Sequence, residues 1–302
     1  MSIEAHSVSG SGRPDLTSRL AEVEEELARV KAELEDVSLL YQATIEHGEA
    51  VEDQLAESNL ELQRTQKRLS EELTEATNYI FSILPEPRSA DPRTQWLLVP
   101  STELGGDSFG YHEIDENHIA FYLLDVCGHG VGAALLSVTA INVLRSAALP
   151  NTDFSDPGAV LSALNDAFPM ERQNNMYFTI WYGVYERHTG GLKYASAGHP
   201  ASILLKGRET VLTLSTPGMA IGMMPDMSYR TSRCPIEVGD RLHLVSDGTF
   251  EVETGPGEML AFDTFVERLS RSENPQEVLD WVRDLNGPGP LPDDFSLLTI
   301  DF

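Results

Sequence analysis

The N-terminal part of the chain carries apolar side chains at alternating spacings of four and three residues. The positions between them are mostly Glu, Lys, Arg and Ala. The apolar positions are Leu16, Leu20, Val23, Leu27, Val30, Leu34, Val37 and Tyr41. This repeat places one narrow apolar stripe along a helix, as is typical of a coiled-coil seam. The pattern therefore predicts a long coiled-coil helix over residues 15–84.

The seam changes register once, because a step of four from Tyr41 to Ile45 leads into a second apolar set. That set is Leu55, Leu62, Leu69, Leu73, Ala76, Ile80 and Ile83. A helix cannot bury such a stripe by itself, so we expect a homodimer through the coiled coil. The alternative is a single helix that folds back on the following domain.

Composition changes on both sides of this helix. Residues 1–14 are rich in Ser and Gly and lack periodicity, so we expect a disordered leader. Proline cannot continue a helix, so the helix must end before Pro85, and residues 85–95 predict a linker. The remaining residues, 96–302, are predicted to form one folded domain.

Strand and helix patterns mix in this domain without regular βαβ alternation. Apolar runs predict strands at 96–100, 118–125, 176–186, 192–197, 201–205, 210–214, 241–246 and 295–302. Helices are predicted at 131–148, 156–168, 262–271 and 275–286. Asp156 is expected to cap the second helix, with Pro157 at its first position. The mixture predicts an α+β fold of packed layers rather than a doubly wound sheet.

The chain is strongly acidic. It has 48 Asp and Glu against 21 Lys and Arg among 302 residues, which gives a formal net charge of −27. Nucleic acid and anionic membranes bind clustered basic side chains, so neither is expected as a partner. Cys127 and Cys234 are too few for a disulfide framework. With no membrane-spanning apolar run or signal-peptide pattern, the sequence predicts a cytoplasmic protein.

Acidic residues recur where predicted strands begin or end. Asp125 and Asp247 each close an apolar strand, and residues 293–294 precede the last strand. Asp107 follows a Gly-Gly pair. A single Asp at the end of a strand is usually a turn or cap residue. If four such turns meet at one edge of the fold, however, their carboxylates repel one another, and divalent cations relieve that repulsion. Oxygen ligands favour Mg²⁺ or Mn²⁺ over zinc.

Five short motifs occur in a fixed order. They are GGD at 105–107, DVCGHGVGAA at 125–134, AGHP at 197–200, SDG at 246–248 and DD at 293–294. In order and spacing they resemble the PPM-type (protein phosphatase 2C-like) serine/threonine phosphatases, and in detail the SpoIIE/RsbU branch. The resemblance spans about residues 80–302. It implies a four-layer αββα sandwich of two antiparallel sheets, with two Mn²⁺ or Mg²⁺ ions at one edge.

The same resemblance implies roles for the acidic residues. Asp125 would bridge both ions, and the carbonyl of Val126 would bind the second. Asp247 and Asp293 would hold the first ion. A water activated by the ions would attack phosphorus in line, without a covalent enzyme intermediate.

The resemblance also extends to two further acids. Asp107 would reach the ions directly or through water, and Asp294 lies where the family has a neighbouring Asp or Asn. The branch commonly has another Asp where this chain has Gly110, which weakens the case for a third metal ion. It commonly has Thr where this chain has Ser296, which is a mild change.

Three side chains within the motifs have competing interpretations. His129 is a candidate to protonate the leaving seryl oxygen, although a histidine at a helix entry more often serves packing. His199 is more readily a residue that ties a strand end to its neighbours. Cys127 lacks the His and Asn signature that accompanies a cysteine nucleophile.

By resemblance, the predicted function is dephosphorylation of a STAS-type anti-anti-sigma factor in a partner-switching pathway. The N-terminal helix would dimerise the chain and transmit a signal through residues 73–84. A catalytically silent coiled-coil scaffold that binds the same partner is the alternative. A GGDEF-like nucleotide cyclase is a remote one, because Ser108 stands where that family has Glu and the other motifs would stay unexplained.

Overall fold

The computed structural model of the protein describes residues 16–102, 104–207, 210–255 and 257–302. The expected disordered leader, residues 1–14, lies outside the described residues. The chain divides into two compact units, with the boundary between Ser70 and Glu71. The first unit is helical where it is described, and the second contains both sheets.

The predicted long helix is present as α1, which runs from Leu16 to Ile83. Within the first unit its early seam positions are exposed, from 50% at Val30 to 83% at Leu16. An apolar stripe that stays open along a helix suits packing against a second helix, but the dimer stays a prediction. No helix in the described part of the chain has an apolar stretch of membrane-spanning length.

The last turns of α1 belong to the second unit and pack against its folded core. Phe81 and Leu84 join the apolar cluster between the two sheets. The guanidinium of Arg145 donates a hydrogen bond to the carbonyl of Ile83 at 2.8 Å. The helix ends before Pro85, as predicted.

The second unit contains two five-stranded antiparallel sheets. Across the first sheet lie β1 (Arg93–Val99), β12 (Phe295–Asp301), β9 (Arg241–Val245), β6 (Ser202–Lys206) and β7 (Thr210–Leu214). Across the second lie β2 (Ser108–Glu113), β3 (His118–Val126), β4 (Phe178–Glu186), β5 (Gly191–Ala197) and β8 (Ser232–Pro235). A separate hairpin pairs β10 (Glu253–Gly255) with β11 (Glu258–Met259).

Most predicted strands are present with shifted ends. β1 begins at Arg93, inside the predicted linker 85–95, because its polar first residues pair with β12 as far as Asp301. The sequence pattern does not predict β2, β8 or the β10–β11 hairpin, because short or polar strands carry little apolar signal.

Two pairs of helices cover the outer faces of the sheets. α2 (Val131–Arg145) and α3 (Pro157–Ala167) pack on the second sheet, and α4 (Phe262–Arg271) and α5 (Pro275–Asn286) pack on the first. A third apolar cluster, which includes Phe109, Trp181 and Leu298, fills the space between the sheets. The predicted α+β fold of four αββα layers is confirmed.

Local signals set several helix ends. Asp156 caps α3 by accepting a hydrogen bond from the N–H of Gly158 at 3.2 Å, with Pro157 in the first turn, as predicted. α2 ends at Arg145, earlier than predicted. The reason is that Ala147 adopts a φ of 49°, which does not continue an α-helix.

Candidate active site

Two pairs of strand ends meet at one edge of the sandwich. The start of β2 pairs with the end of β3, so Ser108 lies opposite Leu124. The end of β9 pairs with the start of β12, so Val245 lies opposite Leu297. Five predicted site residues flank these pairs and interact electrostatically with one another: Asp107, Asp125, Asp247, Asp293 and Asp294.

A cavity of about 510 Å³ opens at this edge. Its lining includes Asp125, Val126, Cys127, His129, Asp247 and Asp293. Asp107 and Asp294 are buried, at 5% and 4% exposure. A larger cavity of about 730 Å³ around Arg241 and Arg271 has no predicted site residue among its described lining residues. The acidic edge is therefore the candidate site.

Asp107 is a buried carboxyl group with an unsatisfied oxygen. Its Oδ2 has no hydrogen-bond partner among the described residues. Burial raises the pKa of Asp107 well above its usual range, and the charges of Asp125 and Asp294 raise it further. The neighbouring hydroxyl groups of Ser296 and Ser246 oppose this rise in pKa. A bound cation would satisfy an orphaned oxygen among carboxylates.

The acids on the cavity wall destabilise one another's charged forms. Burial, followed by the charges of Asp247, Asp293 and Asp294, raises the pKa of Asp125 to about 7. Burial, Asp293 and Glu251 raise the pKa of Asp247. Carboxylates that raise each other's pKa in this way are stabilised when a cation binds between them.

The chemistry of this edge fits divalent cations. The acids offer carboxylate oxygens, which Mg²⁺ and Mn²⁺ prefer. The carbonyl of Val126 lies against Gly106, where a Cβ would come within 2.6 Å of the oxygen. In the described part of the chain, no three His, Cys, Asp or Glu side chains form a ready-made metal centre.

The two residues of the DD motif, Asp293 and Asp294, lie in different environments. Asp293 lines the cavity. The carboxylate of Asp294 accepts hydrogen bonds from Ser101, Gly106 and Asp107. Asp294 thus lies next to the other predicted ligands, but both of its carboxylate oxygens already accept hydrogen bonds.

His129 and Cys127 lie on the cavity wall in the turn that enters α2. The ring of His129 is exposed between Gly128 and Gly130, whose φ angles of 89° and 86° favour glycine. Cys127 is half-buried, and its Sγ accepts a hydrogen bond from the N–H of Tyr177 at 3.2 Å. His129 is therefore exposed on the cavity wall, and Cys127 contacts Tyr177, the residue before β4.

His199, just after β5, bonds to the strand that lies next to Asp125. Its Nδ1 lies 2.8 Å from Oγ1 of Thr179, which is opposite Asp125 in the β3–β4 register. Burial lowers the pKa of His199 to about 3, and the nearby Val245 backbone opposes this shift. Its Nε2 is buried without a partner of good geometry among the described residues. The structure confirms that His199 ties a strand end to its neighbours.

Sequence reasoning overlooked several supporting residues. Thr179 bonds to His199, and the hydroxyl of Ser246 accepts a hydrogen bond from the N–H of Ser296 at 3.0 Å. Ser246 directly precedes Asp247, so its place in the SDG motif was an available signal. Thr179 carries no local signal, because only strand register brings it opposite Asp125.

A family model and two curated relatives match this chain. The sequence profile described as "Stage II sporulation protein E (SpoIIE)" matches residues 115–302. Phosphoserine phosphatases RsbU and RsbP of Bacillus subtilis (strain 168) are 30% identical over 162 residues and 28% identical over 155 residues. These matches cover 53% and 50% of this chain but 47% and 38% of those proteins. The chain thus spans less than half the length of both relatives.

Solved structures share the fold. The SiaA-PP2C domain of Pseudomonas aeruginosa gives a TM-score of 0.67 at 24% identity, covering 79% of this chain and 98% of that one. RsbX, solved in complex with magnesium, gives a TM-score of 0.52 at 15% identity, covering 71% of this chain and 98% of that one. At these identities, the likeness establishes a PP2C-like fold.

Proposed function

This chain belongs to the SpoIIE family, and on that premise we propose that it is a metal-dependent protein serine/threonine phosphatase. One observation carries the proposal: acids from four chain segments meet at one sheet edge, and Oδ2 of Asp107 is buried among them without a partner in the described residues. The curated relatives, both named phosphoserine phosphatases, support the same activity.

Two divalent cations, Mn²⁺ or Mg²⁺, would be held by these residues. Asp125 would bridge the ions, while Asp247 and Asp293 would hold the first. The carbonyl of Val126 would bind the second ion, and Asp107 would contribute directly or through water. The bound ions would supply a water of lowered pKa and neutralise charge on the phosphoryl oxygens.

The chain's own residues would orient the substrate and transfer a proton. The open cavity, about 510 Å³, admits a phosphoserine or phosphothreonine side chain from a protein surface. His129 is exposed on its wall, so a protonated ring can donate a proton to the leaving oxygen. Thr179 and His199 would keep β4 in place beside Asp125.

The substrate we propose is a phosphorylated STAS-type anti-anti-sigma factor. The motif resemblance to the SpoIIE/RsbU branch and the similarity to RsbU and RsbP support this choice. The net charge of −27 argues against nucleic acid or an anionic membrane as partner. A cytoplasmic location stays a prediction.

The helix α1 would serve as dimeriser and signal input. The exposed seam in the first unit supports pairing with a second copy of the chain. In the second unit, Thr77, Ile80 and Phe81 line a small cavity together with Gly105 and Asp107. A change in the packing of these last helical turns would therefore reach the turn that carries Asp107.

Hydrolysis of a phosphoserine STAS protein, with and without Mn²⁺, tests the proposal. Wild type is compared with Asp125→Ala and Asp247→Ala, and the exposed Asp284→Asn is a matched control. We expect metal-dependent turnover in wild type and Asp284→Asn, and a loss of at least about 100-fold in the two site variants.

Two outcomes would contradict this expectation. Equal, metal-independent turnover in all four proteins would exclude the mechanism. No turnover by folded wild type with any metal, but retained binding of the STAS protein, would favour the silent scaffold.

A further inference from the structure

The carboxylate of Asp294 is engaged by four hydrogen bonds. Its Oδ1 accepts from the N–H of Ser101 at 2.8 Å and from the Ser101 hydroxyl at 3.0 Å. Its Oδ2 accepts from the N–H groups of Gly106 at 2.7 Å and Asp107 at 3.3 Å. Asp294 therefore joins the segment after β1 to the turn before β2.

Two glycines shape the surroundings of Asp294. A Cβ at Gly105 would lie 2.2 Å from Oδ2 of Asp294, and a Cβ at Gly248 would lie 2.3 Å from its carbonyl oxygen. Gly106 packs on the opposite side, against the carbonyl of Val126. The turn that carries Asp107 is thus held between Asp294 and the end of β3, with no space for larger residues.

Asp294 is itself fixed by neighbouring groups. Its carbonyl accepts a hydrogen bond from Oγ of Ser246 at 3.0 Å. Its N–H donates to Oδ1 of Asp293 at 2.8 Å. Because Ser246 directly follows β9, Asp294 connects the end of this strand to the GGD turn.

We propose that Asp294 is a positioning residue: it holds the Gly105–Asp107 turn so that Asp107 faces Asp125, and it does not bind an ion. Asp107 directly follows Gly106, which packs against the carbonyl of Val126, the residue after Asp125. A cation at Oδ2 of Asp294 would displace the buried N–H groups of Gly106 and Asp107, and one at Oδ1 would displace the N–H and hydroxyl of Ser101. The link to ion binding rests on the proposed function, whereas the holding of the turn does not.

Thermal melting of the metal-free protein separates a positioning residue from a ligand. Asp294→Asn places an NH₂ group against N–H donors, so we expect the melting temperature to fall by about 5 °C or more. Asp293→Asn removes one of several repelling charges, so its melting temperature should rise or stay unchanged. The exposed Asp284→Asn is the charge-matched control.

Calorimetric titration with Mn²⁺ gives the second measurement. Asp294→Asn should bind as many ions as wild type, with about 10- to 100-fold weaker affinity. Asp293→Asn should lose the ion that it holds. The proposal is overturned if Asp294→Asn keeps the metal-free melting temperature of wild type and binds fewer ions.

Gly105→Ala tests the same turn if Asp294→Asn does not fold. It pushes a methyl group toward Oδ2 of Asp294 without changing the charge of the site. We expect weaker Mn²⁺ binding at unchanged stoichiometry, and wild-type affinity would overturn the proposal. If wild type itself binds no Mn²⁺, the proposed function fails, whereas a lower melting temperature of metal-free Asp294→Asn still supports the holding role.

Discussion

Gly110 and Tyr122 are opposite each other on β2 and β3, and a Cβ at position 110 would lie 2.5 Å from Cε2 of Tyr122. Tyr122 is fully buried and stacks on Tyr182 with 5.7 Å between ring centroids, so its ring has no room to move. The side chain of Tyr122 therefore fills the place where the resembling branch commonly has an Asp. This packing explains why a glycine occupies position 110.

Gly110→Ala should destabilise the protein, because the added methyl group overlaps the ring of Tyr122. We expect a loss of about 1–3 kcal/mol in the free energy of unfolding, measured by urea denaturation. When Tyr122 is already replaced by Leu, Gly110→Ala should lower the free energy of unfolding by much less than it does in wild type. Equal costs in both backgrounds would contradict the packing explanation.

Lowering the pH should destabilise the protein through His243. Burial, and then Arg241, lowers the pKa of His243 to about 3, whereas an unfolded chain titrates near 6.5. Between these values the unfolded state binds the additional proton, so stability falls as pH falls, by at most about 1.4 kcal/mol per pH unit.

The variant His243→Asn should lose this part of the pH dependence. The asparagine amide can keep the hydrogen bond that Nδ1 makes with Oγ1 of Thr299 at 2.9 Å. Unfolding free energies of wild type, the variant and the exposed-histidine control His188→Asn are compared between pH 7 and pH 4. An unchanged slope in His243→Asn would show that other groups cause the acid sensitivity.

Loss of the Thr179–His199 hydrogen bond should reduce turnover more than substrate binding. Thr179→Val keeps the shape of the side chain but removes the hydroxyl beside Asp125, so we expect kcat to fall about 10-fold with KM nearly unchanged. His199→Asn, which can still bond to Thr179, should retain more activity than His199→Leu. Thr213→Val, on exposed β7, is the control.

Leu27→Glu should dissociate the dimer that the seam predicts. Charge at a seam position opposes helix pairing, so sedimentation equilibrium should show a monomer at concentrations where wild type is dimeric. Leu39→Glu adds the same charge at an exposed position outside the seam and should leave the dimer intact. A monomeric wild type would contradict the coiled-coil prediction.

The sequence was most informative for features that depend on residues close together in the chain. The seam spacing predicted α1, and Asp156 with Pro157 predicted the start of α3, because helix formation and capping depend on residues a few positions apart. The motifs likewise identified the acids at the strand ends. β1 was placed too late, since its polar start is stabilised by pairing with β12 rather than by its own residues.

By itself, the sequence determined the long helix, the α+β class and the set of acids that form the candidate site. Tertiary structure alone decided which acids line the cavity and which form hydrogen bonds with the turn beside it. Asp293 and Asp294 are adjacent in sequence, yet Asp294 bonds to Gly106, 188 positions away. The physical reason is that the burial and hydrogen-bond partners of each acid depend on strand ends that are distant in sequence. A local sequence pattern does not show which of these strand ends come together.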